Sequence, residues 1–372
     1  MKVGILTFDP SPNYGCVLQQ FALYRTIEKM GYEPWLVSTR KIKRGRALTL
    51  KRRFIDFVNR GAHAVLPQYV THNEAMDLSI VEIKEFVNSH APNKITPSDL
   101  SELNIMNALV VGSDQVWRSA YCDDVRTFFL DFSRDFENVK RVSYAASFGV
   151  SQLTPEEEYS QSLIDECAVL LGKFDAVSVR EESGVDICRD NFGRKDAQWV
   201  LDPTMLLEQQ EYLPVLPQVV KGKFVHYVLD LDPVKASVIK AIEDAMGTVA
   251  VSNIDRILYS HWASKVQQHR SVESWLSEMA SAEFVFTDSF HGCVFCIIFN
   301  KPFAVYVNSA RGAARFDSLL SLYGLKDRVI TDASEIPSLL ARPIDWACVN
   351  AVRSQMSKYS ISFLQNALSK SK

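Results

Sequence analysis

Short runs of β-branched and aromatic residues alternate with longer stretches of helical periodicity along almost the whole chain, and that alternation predicts βα units around parallel sheets. In the first half the strand candidates are 2–8, 34–38, 108–112, 141–146, 176–179 and 198–201. Helical patterns lie between most of them, at 16–30 and 155–171 for example. The stretch 202–223 carries Pro203, Pro214 and Pro217 without clean periodicity and reads as a boundary. A second series follows at 224–229, 249–252, 284–287, 303–307 and 329–331. The expected fold class is therefore α/β, with two Rossmann-like domains at 1–205 and 206–349. An amphipathic stretch, 350–368, lies in the remaining 350–372 and is expected to form a helix that packs back on the first domain.

Composition narrows the class. The chain has 372 residues, 47% hydrophobic and 23% charged, which excludes a disordered, collagen-like or coiled-coil protein and accommodates more than one core. With 41 Lys and Arg against 44 Asp and Glu, the net charge of -3 provides no global field for nucleic acid, so no nucleic-acid partner is expected. The longest wholly apolar run, 293–299, is far below the roughly 18–20 residues of a membrane span. The apolar start before Asp9 is too short for a signal peptide, and a cytoplasmic location is expected. Seven cysteines without framework spacing read as reduced thiols.

One segment departs from the even charge. Residues 40–60 hold nine Lys or Arg against the single acid Asp56, interleaved with Leu48, Leu50, Phe54, Ile55, Phe57 and Val58. A solvated charged loop is one reading. A peripheral docking surface for anionic membrane or a lipid-diphosphate is a second, and nucleic acid is a weaker third because no base-reading motif accompanies the run.

Doubly wound sheets bind ligands beyond the carboxyl ends of their strands, so candidate chemistry is sought there. Asn13 and Gly15 open a helix whose free N–H groups can receive an anion, although every helix start needs such residues. Gly112 admits close approach to the backbone after the strand at 108–112, while Ser113 and Asp114 can hydrogen-bond sugar hydroxyls or cap a helix. Arg180 stands at a strand end, where its planar fork suits a carboxylate or phosphate, or a neighbouring acid such as Glu181 or Glu182.

The most informative stretch is 287–316. His291 follows a strand and Asp288-Ser289, precedes an apolar helix, and is placed to act as a general acid, a general base or a cap. Past the next strand candidate, Arg311 and Arg315 flank Gly312. Cys293 and Cys296 form a CxxC with no second pair, which reads as core packing, and no metal is expected.

Taken together, NYGCVLQQFAL from Asn13, VVGSDQVW from Val110, YAASFG from Tyr144, VSVREESG from Val177, VLDPTMLL from Val200 and TDSFHGCVF with NKPF and RGAARF from Thr287 resemble the polysaccharide pyruvyltransferase family over roughly 1–330. The resemblance implies a fold like the two-domain glycosyltransferase B architecture, with the acceptor on the first domain and the donor on the second. It implies phosphoenolpyruvate as donor, no further cofactor, and a pyruvate ketal on a hexose hydroxyl pair of a cell-surface glycan or its lipid-linked precursor. Residue by residue, the donor-binding arginine corresponds to Arg180 and the essential histidine to His291. Arg311 stands where relatives often carry Lys. Arg315, Ser289, Gly292, Ser113, Asp114, Asn13 and Gly15 complete the expected substrate-binding set. A nucleotide-sugar glycosyltransferase and a non-catalytic glycan- or anion-binding module are the alternatives, because fold does not settle function.

Overall fold

The computed structural model describes residues 1–38, 80–97, 100–154, 159–212, 223–253, 257–261, 264–268, 270–308 and 312–369. The basic segment 40–60 and Arg311 lie outside the described residues.

The first half is built on β1 (Lys2–Leu6), α1 (Tyr14–Lys29), β2 (Glu33–Val37), α2 (Val81–His90), β3 (Lys94–Ile95), β4 (Ala108–Val111), β5 (Lys140–Ala146), α3 (Gln161–Leu171), β6 (Ala176–Val179), α4 (Glu182–Phe192) and β7 (Gln198–Trp199). Its strands form one seven-stranded sheet in the order β3-β2-β1-β4-β5-β6-β7, with every pairing parallel. The central strands β4 and β5 are buried at every position, as expected of strands covered on both faces.

A short helix, α5 (Gln209–Tyr212), leads to the second half: β8 (Lys223–Tyr227), α6 (Pro233–Met246), β9 (Val251–Ser252), the antiparallel pair β10 (Ile257–His261) and β11 (Ser264–Gln268), α7 (Val272–Ser281), β12 (Ala282–Thr287), α8 (Phe290–Ile298), β13 (Phe303–Val305), α9 (Ala313–Leu322), α10 (Ile336–Leu340) and α11 (Trp346–Ser369). Here the parallel order is β13-β12-β8-β9. The expected strand at 329–331 is reduced to a single bridge between Val305 and Val329.

The C-terminal helix packs back as expected. Ser360 Oγ accepts from Leu201 N at 3.0 Å, Lys140 Nζ donates to Leu368 O at 2.6 Å, and Phe363 lies against Tyr144. Among the described residues no helix is long and apolar enough to cross a membrane.

What positions the site is the meeting of α1 with α7 and α8. Helix α1 is buried from Tyr14 to Tyr24, so it presents no single wet face. Its Val17 and Leu18 share one core with Trp275 and Phe295 of the second half. Tyr14 stacks on Trp275 at 5.3 Å and donates its hydroxyl to Arg270 O at 3.0 Å. This apolar contact joins the halves and brings the N-termini of α1 and α8 together.

Candidate active site

Helix α8 begins one turn after β12, capped by Ser289, whose Oγ accepts from Gly292 N at 3.4 Å. Its first turn carries Phe290 and His291, both buried. Helix α1 is capped in the same way by Asn13, whose side chain accepts from Gly15 N at 3.0 Å. The imidazole of His291 lies directly over Gly15: a Cβ at that position would stand 1.9 Å from His291 Nδ1. Only glycine permits this approach, so Gly15 seats the histidine against the start of α1.

Opposite the ring stands Asp202, just beyond β7. Its Oδ1 accepts from Thr204 N at 3.0 Å and from Thr204 Oγ1 at 2.7 Å. Its Oδ2 accepts from Arg180 Nη1 at 2.9 Å and lies 3.4 Å from His291 Nε2. The imidazole contact is off the line of a hydrogen bond, and Nε2 is buried without a hydrogen-bond partner among the described residues. It is an ion pair whenever the ring is protonated. Burial by itself would raise the Asp202 carboxyl, but His291 and Arg180 outweigh burial and hold it below the ordinary carboxylate range.

Arg180 leaves β6 at its carboxyl end and is wholly buried, bonded to Asp202 and, at 3.3 Å, to Asp114. Its partners are these two carboxylates and not the adjacent Glu181 or Glu182. Glu181 instead accepts from Phe148 N at 2.7 Å and Gly149 N at 3.0 Å, and Glu182 N donates to Ser318 Oγ. Asp114 reaches Arg180 because Gly112, at φ 118°, lets the chain after β4 run against β5; a Cβ there would meet Tyr144 O at 2.2 Å. Arg180 Nε is a second buried polar atom without a hydrogen-bond partner among the described residues. Unsatisfied polar atoms of this kind call for an explanation, and two of them share one centre.

Arg315, from the first turn of α9, joins the same cluster. The guanidinium carbons of Arg180 and Arg315 lie 4.8 Å and 5.2 Å from the centroid of Phe290. Burial, and next the Arg180 charge, lower the Arg315 guanidinium to about 10. Asp114 and Glu181 act in the opposite sense without cancelling this. Arg180 is held by its two carboxylates, while burial outweighs the carboxylates around Arg315.

The remaining predicted residues divide by task. Ser113 donates to Ala145 O at 2.9 Å, and its backbone N donates to Gln19 Oε1 at 3.0 Å, so it secures the β4 loop to α1 and β5. Asp114 holds Arg180 at 3.3 Å. Ser289 caps α8, and Gly292 packs on Thr287. Cys293 and Cys296 are buried in α8 with thiols pushed up by burial, which fits the core-packing reading. No group of His, Cys, Asp and Glu that could hold a metal occurs among the described residues.

Asp202 is the residue that sequence reasoning missed. The signal was there, an acid immediately after a strand, but the Pro203 that follows made it read as the start of a boundary. Phe290, the ring shared by the two arginines, was likewise hidden inside an apolar helix.

Two parallel sheets whose carboxyl edges share one buried ionic centre define an α/β protein with two Rossmann-like halves, of the glycosyltransferase B type. The whole chain is similar to the putative UDP-N-acetylglucosamine 2-epimerase from Listeria monocytogenes, with a TM-score of 0.51 and 10% identity over 98% of this chain and 94% of that one. It is also similar to the UDP-GlcNAc 2-epimerase of Methanocaldococcus jannaschii (TM-score 0.46, 13% identity, 95% and 99% of the two chains) and to the spinosyn rhamnosyltransferase SpnG (0.47, 11%, 98% and 99%). At these identities the likeness extends to the fold alone. No curated protein matches the sequence. The chain belongs to the polysaccharide pyruvyl transferase family, whose sequence model matches residues 13–310.

Proposed function

We propose that the protein transfers the pyruvyl group of phosphoenolpyruvate to two hydroxyls of a hexose in a cell-surface glycan or its lipid-linked precursor. The observation that carries this reading is the pair of buried guanidiniums, Arg180 and Arg315, over the ring of Phe290, next in sequence to the buried imidazole of His291. Phosphoenolpyruvate combines a phosphate and a carboxylate, the charges that buried guanidiniums can receive, and its methylene carbon needs a proton-transfer group nearby.

The reaction balances as follows. A proton adds to the methylene carbon, making it a methyl group and leaving an oxocarbenium-like centre at the former enol carbon. One sugar hydroxyl attacks that centre and loses its proton. The C–O bond to phosphate then breaks, the second hydroxyl closes the ketal, and its proton balances the released phosphate. His291 is the proton-transfer group, worth on the order of 10² to 10⁴ in rate. Arg315 binds the donor's negative charge. Arg180 and Asp202 act mainly by fixing His291 and Phe290 in place, and Asp202 pairs with the imidazolium whenever the ring carries the proton.

Purified protein given phosphoenolpyruvate and a panel of hexosides tests the reading. Acceptor-dependent phosphate release supports it. Nucleotide release from a nucleotide sugar, with no phosphate from phosphoenolpyruvate, replaces it with glycosyl transfer, and binding without turnover replaces it with a glycan-binding module.

The basic segment 40–60 fits a protein working at the cytoplasmic membrane face. Salt-sensitive binding to anionic liposomes is expected, and neutralising Arg44, Arg46, Lys51, Arg52 and Arg53 should abolish it.

A further inference from the structure

The two arginines over Phe290 come from different halves of the chain, so their spacing depends on how the halves meet. Arg180 follows β6 directly, and its backbone N donates to Ala146 O at 3.1 Å, which registers it on the end of β5. Arg315 stands in the first turn of α9, and its Nε donates to Gly312 O at 3.4 Å. Its place is therefore tied to where Gly312 lands.

Gly312 lands on the first half. A Cβ there would stand 2.7 Å from Gly149 O and 3.0 Å from Gln115 Oε1, and a Cβ on Gly149 would stand 2.0 Å from the same amide oxygen. Backbone meets backbone at a separation that only a pair of glycines permits. Further along α9, Ser318 Oγ accepts from Glu182 N at 3.0 Å, a second contact between this helix and the first half.

Glu181 lies behind the landing. Its side chain is wholly buried, and Oε1 accepts from both Phe148 N, at 2.7 Å, and Gly149 N, at 3.0 Å. These amides belong to the turn after β5 whose carbonyl, Gly149 O, meets Gly312. Although Glu181 directly precedes α4, its side chain does not cap that helix. Its second oxygen, Oε2, is buried without a hydrogen-bond partner among the described residues. Burying a carboxylate with one oxygen unbonded is costly, and two effects offset the cost. One is charge, because the carboxylate favours the charged forms of Arg180 and Arg315. The other is reach, because one oxygen spans two successive amides. Charge would compete with an incoming anion, whereas reach would prepare the place for it.

We propose that Glu181 is a positioning residue: by holding the amides of Phe148 and Gly149 it fixes the platform on which α9 rests, and so sets where Arg315 stands relative to Arg180 and His291. Its reach does this and its charge does not. That the centre so prepared takes phosphoenolpyruvate rests on the pyruvyl-transfer reading; the dependence of α9 on Glu181 does not.

Three variants of the full chain separate reach from charge. Glu181→Gln keeps an acceptor oxygen at the same reach and loses the charge. Glu181→Asp keeps the charge and loses one methylene of reach, and Glu181→Ala loses both. Amide hydrogen exchange, read by mass spectrometry without ligand, should speed up about ten-fold or more in Glu181→Asp and Glu181→Ala, both at 145–150 and at 312–320 in α9. In Glu181→Gln it should stay near the wild-type rate. Calorimetric titration with phosphoenolpyruvate should follow the same order, with Kd about ten-fold or more weaker in Glu181→Asp. Glu181→Gln should bind at least as tightly as the wild type, since a negative charge has left the surroundings of both guanidiniums. If Glu181→Ala does not fold, the pair Glu181→Asp and Glu181→Gln carries the test. Unchanged exchange at 312–320 in folded Glu181→Asp makes Glu181 a local prop and overturns the proposal. Exchange raised as much in Glu181→Gln as in Glu181→Asp makes it a counter-charge and overturns it equally. With exchange as expected, a wild type that binds no phosphoenolpyruvate would refute the pyruvyl-transfer reading and leave the positioning role standing.

Discussion

Arg180 and Arg315 lie over the same phenyl ring, one from each half of the molecule, yet their surroundings are opposite. The first half surrounds its arginine with Asp202 and Asp114, and the net effect is a guanidinium held above its ordinary value although burial opposes this. In the second half, burial and the repulsion of Arg180 prevail, and the Arg315 guanidinium is lowered to about 10. The difference is one of balance: a buried cation held by fixed carboxylates stabilises a geometry, whereas one lowered by burial gains from an incoming anion.

The largest effect is expected from the imidazole between the two regions. His291→Ala should lower kcat on the order of 10² to 10⁴ while leaving the circular dichroism spectrum unchanged. A near-normal kcat in that variant would remove His291 from the chemistry.

Next comes the compensated side. Asp202→Ala strips Arg180 of its closest partner and should cost about 3–5 kcal/mol in urea unfolding, because a buried charge is left underpaired. Asp202→Asn should also reveal a pH signature. The folded carboxyl is held below its ordinary value, so its stabilisation is present above the unfolded value of about 3.9 and fades only as pH falls through the lower, folded one. The stability gap between wild type and Asp202→Asn should thus be constant from pH 7 to about pH 4 and shrink below that. A gap that closes near neutrality would contradict the assignment.

Gly15→Ala probes the seam. The added methyl group cannot coexist with His291 Nδ1, so the ring must move, at about 1–3 kcal/mol and with a fall in kcat exceeding any change in donor KM.

The smallest stability change, and the most telling sign, belongs to Arg315→Met. With a lowered folded value, the charged form is a burden below about pH 10 that lessens as pH rises toward the ordinary arginine range. Removing the charge should therefore raise the unfolding free energy at pH 7 by about 1 kcal/mol once lost packing on Phe290 is subtracted, while donor KM rises sharply.

These contrasts also explain what could be read from the amino-acid order. Strands β4, β5 and β6 were legible because strands buried on both faces leave uninterrupted apolar and β-branched runs. The two-residue strand β3 and the β10–β11 pair were not: the first is too short to show a pattern, and the second mixes Ser260, His261, Lys265, Gln267 and Gln268 among its apolar positions. In the site, His291 and Arg180 stood out as strand-end residues. Their convergence on Asp202 depends on α1 packing against α8 across two domains, a tertiary event with no local signature, and the proline beside Asp202 pointed toward a linker instead.

On the pyruvyl-transfer reading, Arg315 receives the charge of a small dianion. Thermal unfolding with increasing phosphoenolpyruvate measures it directly, since a ligand of the folded state raises the melting temperature in a saturable way. A saturable rise is expected for the wild type and none for Arg315→Met. Equal rises in both proteins, or none in the wild type, would contradict it.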